Sequence, residues 1–264
     1  MDTIQTIIIG IVEGLTEYLP VSSTGHMIIT EKLLNIPDNE YTKMFTVAIQ
    51  LGAILAVVVL YWRKFFDFKN FKFYLKLVIG VIPAMILGLL FSKKIDMLLE
   101  STTTVAIALL GGGIILLFID RLFNHPDTGS EKDVTFRQSF IIGIWQCVAM
   151  IPGVSRSAAS ITGGMQQQLS RRVAAEFSFF LAVPTMLAAT TYKLYKHYKE
   201  AGGFTTTEIK QLVIGNAVAF IVAIFAIKFF IEFLKKHGFR IWGIYRIILG
   251  IILLIMIYTG YLNP

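Results

Sequence analysis

The chain has 264 residues, of which 55% are apolar and only 16% charged, and its mean hydropathy is +0.69. Soluble domains carry nearer a quarter charged residues, so this composition excludes an ordinary soluble fold and predicts an all-α, polytopic integral membrane protein. The net charge of +7 falls in loops between apolar runs, the pattern of membrane topology, and no nucleic-acid partner is expected.

The single cysteine, Cys147, rules out an intrachain disulfide and reads as a small buried residue. Met1-Asp2-Thr3 lacks the basic start of a signal peptide, so the first apolar segment is expected to stay in the mature protein. No stretch is long and polar enough for a separate soluble domain, which leaves one membrane domain over 1–264.

In chain order, an apolar stretch at 3–19 carries Glu13 and Glu17 and ends at Pro20; a second short segment follows at about 24–35. Two short helices broken at a polar turn predict a re-entrant hairpin, because irregular backbone at membrane depth needs protein or a water-filled cavity around it. Spans are expected at about 44–62, 77–92 (with a kink at Pro83) and 103–119, where Gly111-Gly112-Gly113 allows close helix contact. The polar linker Asn124–Asp133 is the best boundary in the chain.

The second half repeats this plan. A short segment at about 137–151 ends at Pro152, runs into Gly153-Val154-Ser155-Arg156-Ser157 and continues as a short helix to Arg171-Arg172. Spans follow at about 174–192, 211–231 and 242–261. A shift of 132 residues superposes Pro20 on Pro152, Ser23 on Ser155 and Phe45 on Phe177. The expected fold is therefore six transmembrane helices plus two re-entrant helical hairpins, with repeat halves of about 1–130 and 133–264. Three crossings per half make an odd number, so the second copy is inverted, an arrangement best known from transporters. Thirteen lysines and arginines, among them Arg63, Lys64, Arg121, Arg171, Arg172 and Arg240, lie on one side and eight on the other. The first side should be cytoplasmic, which puts both termini and the mouth of the first hairpin outside.

The chemistry is concentrated in the two broken hairpins. Glu13 and Glu17 are four apart and share a helix face; burying both is costly unless they are matched, and crowding makes one of them a plausible base. Ser22, Ser23 and Thr24 stand where a new helix begins after Pro20. One of them is expected to cap it, and three exceed what a cap needs. Free amides flanked by hydroxyls at a helix start suit a phosphate. His26 lies in the first turn of that helix, beside the acids and hydroxyls, and reads as catalytic. In the second hairpin Arg156, between Ser155 and Ser157, needs an anionic partner at membrane depth. That partner is Glu13 or Glu17 in the resting protein, or phosphate oxygens, which a guanidinium holds in a bidentate way.

Glu13 to His26, EGLTEYLPVSSTGH, together with Pro152–Ser157, closely resembles the bacterial undecaprenyl-diphosphate phosphatases, the bacitracin-resistance proteins. The resemblance covers the whole chain, including Glu176-Phe177-Ser178-Phe179 and Ala182-Val183-Pro184. Ala158 and Ser160 depart from the usual Gly and Thr, small-for-small exchanges that bear on local helix contact. The resemblance implies an enzyme of the bacterial plasma membrane that hydrolyses undecaprenyl diphosphate to the monophosphate and phosphate. That reaction recycles the lipid carrier for peptidoglycan synthesis and confers bacitracin resistance. Carried over by position, Ser23 would be the nucleophile, activated by Glu17 or His26, and Arg156 would hold the diphosphate. Ser22, Thr24, Ser155 and Ser157 would surround it. Glu13 would organise the site, and with Glu17 would hold a divalent cation (Mg2+ or Ca2+). Partners are the lipid substrate and membrane lipid, and a homodimer is compatible with them. Attack by His26 or directly by water stays open, and a lipid or small-molecule transporter or flippase is the rival reading.

Overall fold

The computed structural model describes residues 1–99, 101–123, 129–130 and 133–263, and the expected linker at 124–133 lies mostly outside them. Among the described residues the regular structure is helical. The first half holds α1 (Thr3–Thr16), α2 (Ser23–Leu33), α3 (Glu40–Ala48), α4 (Gln50–Leu60), α5 (Trp62–Phe65), α6 (Phe71–Leu99) and α7 (Thr102–Leu122). The second holds α8 (Phe136–Val148), α9 (Arg156–Gln166), α10 (Arg171–Ala201), α11 (Thr206–His237) and α12 (Arg240–Tyr258).

Six segments are long and apolar enough to cross a membrane: the α3–α4 pair over Glu40–Leu60, Phe71–Phe91, α7, α10, Thr206–Leu234 and α12. The chain is a multi-pass membrane protein. Its long helices overrun the expected spans, α6 by six residues at its start (71 against 77), because their polar ends continue the helix beyond the apolar window. α6 and α10 run on through Pro83 and Pro184. By contrast α1, α2, α8 and α9 have 14, 11, 13 and 11 residues. At 1.5 Å per residue the longest reaches about 21 Å, short of a hydrocarbon core of about 30 Å.

These four short helices form two hairpins, α1 against α2 and α8 against α9, built from the same local devices. Asp2 and Gln5 close a capping box on α1, and Thr135 and Gln138 close one on α8. The Gln5 amide then donates to the Leu34 carbonyl at 3.0 Å, and the Gln138 amide to the Gln167 carbonyl at 2.9 Å. The turns between the helices hold Ser22 at φ 67° and Ser155 at φ 73°, and the hairpins end at Asn35 (φ 51°) and Gln168 (φ 65°). Every one of these pairs is offset by 133 residues, one more than the shift that aligns the prolines. The structural counterpart of Ser155 is thus Ser22, not Ser23, and that of Ser23 is Arg156.

The hairpins dock crosswise, α1 onto α11 of the second half and α8 onto α6 of the first. A Cβ added at Gly10 would press on the Gly215 carbonyl, and one at Gly143 would overlap the Gly80 carbonyl, so both crossings rely on backbone-to-backbone approach. α10 is the most enclosed span, lying against α3, α4, α6 and α9. Its Phe177, Phe179 and Phe180 join Tyr18 and Phe230 in the main buried cluster. α7 and α12 pair along their length on the other side. The turns of both hairpins touch each other through Ser157 and Leu19, and Arg246 of α12 bonds to both.

Candidate active site

Each hairpin brings its second helix in with a serine N-cap in the left-handed region. The Ser22 hydroxyl accepts from the Gly25 N–H at 3.5 Å, and the Ser155 hydroxyl from the Ala158 N–H at 3.3 Å. A capping hydroxyl satisfies one of the free amides of a helix start and leaves others facing the turn. The residue after each cap is one of the candidate site residues: Ser23 in one hairpin and Arg156 in the other.

The two meet through Glu17. Its Oε1 lies 3.2 Å from Arg156 Nη2 and 3.4 Å from Nε, and its Oε2 accepts from Ser23 Oγ at 3.0 Å. Arg156 Nη1 donates to the Ser178 carbonyl at 3.1 Å and approaches its hydroxyl at 3.4 Å, which fixes the fork from the α10 side. The Tyr18 ring lies under the guanidinium at 5.6 Å. Both charged side chains are largely withdrawn from solvent, 12% and 7% exposed, so this pair is the strong kind of ion pair only while both partners are present.

Glu13, one helical turn before Glu17, is fully buried, and its Oε1 has no hydrogen-bond partner among the described residues. Ser157 is also fully buried. Its hydroxyl donates to the Leu19 carbonyl at 2.8 Å and lies 3.1 Å from Ser155 Oγ, which ties the second turn to the first. Ser22, 2% exposed, acts as the cap. These three hydroxyls, Ser22, Ser155 and Ser157, are thus engaged in holding the turns, whereas Ser23 and Thr24 are half-buried at the open start of α2.

The hydrogen bonds of both His26 ring nitrogens go to groups other than Ser23. Nδ1 lies 2.8 Å from the Ser22 carbonyl, an acceptor only, so Nδ1 carries the proton and Nε2 is the lone-pair nitrogen. The Tyr245 hydroxyl donates to Nε2 at 2.7 Å, with the two rings stacked 5.6 Å apart. Of the two activators open for Ser23, the one in contact is Glu17.

Two further residues border the site, Tyr245 and Arg246. Arg246 is fully buried and bonds backbone carbonyls of both turns and of α7. Its signal was an arginine inside the apolar run 242–261, a costly placement that calls for a partner. Tyr245 had no signal, since an aromatic in an apolar span is ordinary.

Residues 6–252 match the family described as bacitracin resistance protein BacA. The chain belongs to that family. It is 59% identical to an undecaprenyl-diphosphatase of Flavobacterium psychrophilum, over 97% of this chain and 96% of the relative. Identity is 49% to an undecaprenyl-diphosphatase of Porphyromonas gingivalis, over 98% of each chain, and 48% to one of Bdellovibrio bacteriovorus, over 99% and 98%. Coverage at both ends places both hairpins, and so the whole candidate site, within the shared region. The matched region includes the fourteen residues from Glu13 to His26 and the Arg156 turn.

Proposed function

We infer that this BacA-family protein hydrolyses undecaprenyl diphosphate to undecaprenyl phosphate and inorganic phosphate. The observation that carries the reading is the Ser23–Glu17–Arg156 contact, a hydroxyl on a carboxylate that also holds a guanidinium fork. Nucleophile, base and phosphate-binding cation are what transfer of a phosphoryl group needs from a protein.

The Nε–Nη2 edge of Arg156 is occupied by Glu17. A terminal phosphate that takes this edge displaces the carboxylate and frees it as a base beside Ser23. Ser23 Oγ then attacks the terminal phosphorus and passes its proton to Glu17. The anhydride P–O bond breaks, and Glu17 hands that proton to the departing lipid monophosphate, which restores the carboxylate. Glu17 then takes a proton from water as the water oxygen attacks the phosphoserine; the Ser23 Oγ–P bond breaks, phosphate is released, and the proton on Glu17 returns to Ser23 Oγ. Charge on the equatorial oxygens is held by Arg156 and by the helix-start amides of α2 and α9. His26, with Nε2 held by Tyr245, borders this centre.

Glu13 and Glu17 fit a divalent cation, Mg2+ or Ca2+, by the chemistry of their donors: hard carboxylate oxygens, one of them buried and without a hydrogen-bond partner among the described residues. Among the described residues no group of three or more His, Cys, Asp and Glu side chains gathers, so diphosphate and water would complete the shell. Such an ion would neutralise phosphate charge.

The same reading places the enzyme in the bacterial plasma membrane, with the site opening and both termini on the outer face, the side poorer in lysine and arginine. It treats the hairpins as re-entrant and the halves as inverted copies. The 133-residue correspondence of caps and turns supports that view. A flippase would not need a serine hydroxyl held on a carboxylate.

Phosphate release from a prenyl diphosphate in detergent, where no compartment exists, tests the assignment with Arg156→Ala, Glu17→Ala and Ser23→Ala. Loss in all three supports it, and full activity in all three would sink it. Trapped phosphohistidine at His26 in place of phosphoserine would reassign the nucleophile.

A further inference from the structure

Arg246 is a fully buried cation whose hydrogen bonds, among the described residues, all go to main-chain carbonyls. Nη1 donates to Pro20 at 3.1 Å and Val154 at 2.9 Å; Nη2 donates to Gly153 at 2.9 Å and Ala108 at 3.2 Å; Nε approaches Leu109 at 3.5 Å. One planar group therefore joins the turn before Ser22, the turn before Ser155 and the middle of α7. Burying a charge on dipoles alone is expensive, and ordinary helix contact does not call for it. A guanidinium has five N–H donors in a fixed plane. An amide has two, and an ammonium has three that radiate from one atom.

The residues that follow these turns are the nucleophile and the phosphate-holding cation of the proposed mechanism. Ser23 comes right after Ser22, and Arg156 right after Ser155. Both caps sit at positive φ, a strained conformation for serine that persists only where surroundings hold it. The Arg246 fork grips the carbonyls just upstream of both. α7 leaves room for it at Gly112, where a Cβ would land on Nη2.

We propose that Arg246 is a positioning residue: it sets the distance between the two turns and so the placement of Ser23 and Glu17 against Arg156. This rests on the site assigned above. It acts through geometry, so retaining the positive charge is not enough.

The test uses the full-length enzyme in detergent, with kcat and KM for a prenyl diphosphate expressed per folded, monodisperse molecule. Arg246→Lys keeps the charge and loses the span across both turns. Gly112→Ala keeps the arginine and pushes its fork aside, while improving intrinsic helix propensity, so it carries the test by itself if Arg246→Lys does not accumulate. Misplacement on the scale of 1 Å predicts a kcat lowered about 100-fold in either variant. KM should stay within about threefold, since the groups that bind phosphate remain. The double variant should be no slower than Arg246→Lys, because both changes disable one device. Wild-type kcat per folded molecule in either variant, or losses that multiply in the double variant, would overturn the proposal. Arg156→Ala and Glu17→Ala run alongside. If they keep activity the site itself is wrong; if they lose it while the Arg246 and Gly112 variants do not, only the positioning role falls.

Discussion

Glu17 Oε1 lies 3.2 Å from Arg156 Nη2, across a separation of 139 residues and between two hairpins that share no helix. The contact has one member from each half of the chain. In the proposed mechanism the base, Glu17, and the phosphate-binding cation, Arg156, come from different hairpins, so that mechanism needs the two turns facing each other.

Removing one partner of this pair should cost more than removing both. Glu17→Ala leaves a largely buried guanidinium without its carboxylate, a loss of about 3 kcal/mol or more. Glu17→Ala combined with Arg156→Met removes the stranded charge and should recover part of that. Thermal unfolding in detergent reads the difference, and a double variant less stable than the single one would contradict it. Activity behaves differently, since both proteins should be inactive.

Arg156→Lys should keep the fold and lose catalysis. An ammonium can pair with Glu17 but cannot also hold the Ser178 carbonyl, 3.1 Å from Nη1, in the same plane. The expected fall in kcat/KM is on the order of 100-fold, the size typical of losing an oriented donor at developing charge. Near wild-type turnover with lysine would mean that charge alone suffices.

Tyr245→Phe removes the O–H that holds His26 Nε2 and leaves the Nδ1–Ser22 contact in place. A drop in kcat of about 100-fold is expected, the low end of what positioned proton donors and acceptors contribute. The informative comparison is with His26→Ala, because two residues acting as a unit are not additive. The double variant should match His26→Ala; a further tenfold loss would separate the tyrosine from the histidine.

Much of this was legible in the chain. Six spans and the positions of the two broken hairpins follow from apolar run length and from Pro20 and Pro152, which stop helices. Glu17, Ser23 and Arg156 stood out as polar groups where polar groups are costly. The exact register of the repeat did not. Prolines look like landmarks in sequence, yet the hairpins are aligned by capping and by backbone torsion, which put Pro20 opposite Gly153. Sequence puts His26 in the first turn beside the acids and hydroxyls, but its contact with a tyrosine 219 residues away is set by how α12 packs and by no local pattern.

The backbone strain at the two caps gives a contrast between substitutions. Ser155→Ala loses the cap to Ala158 and keeps a Cβ at φ 73°, so it should cost about 1 kcal/mol or more. Ser155→Gly also loses the hydroxyl, but glycine takes the left-handed region freely and caps almost as well. The glycine variant should therefore be the more stable of the two. If alanine were the milder change, strain at the turn would not be the governing term.

The helix crossings make the last prediction. At Gly143 an added methyl would overlap the Gly80 carbonyl, and α8 has no free direction because α9 lies against it as well. Gly143→Ala should push α8 off α6 and cost about 1–3 kcal/mol, as overfilled interiors do. Gly111 is the control: it belongs to the same class of mid-helix glycine, and nothing lies within 4 Å of its missing Cβ. There alanine adds helix propensity without a clash and should be neutral or stabilising by up to about 1 kcal/mol. Because α8 leads into the turn that carries Arg156, the Gly143 change should also lower activity per folded molecule, and the Gly111 change should not. Equal effects at the two positions would mean that close backbone approach is not what seats the second hairpin.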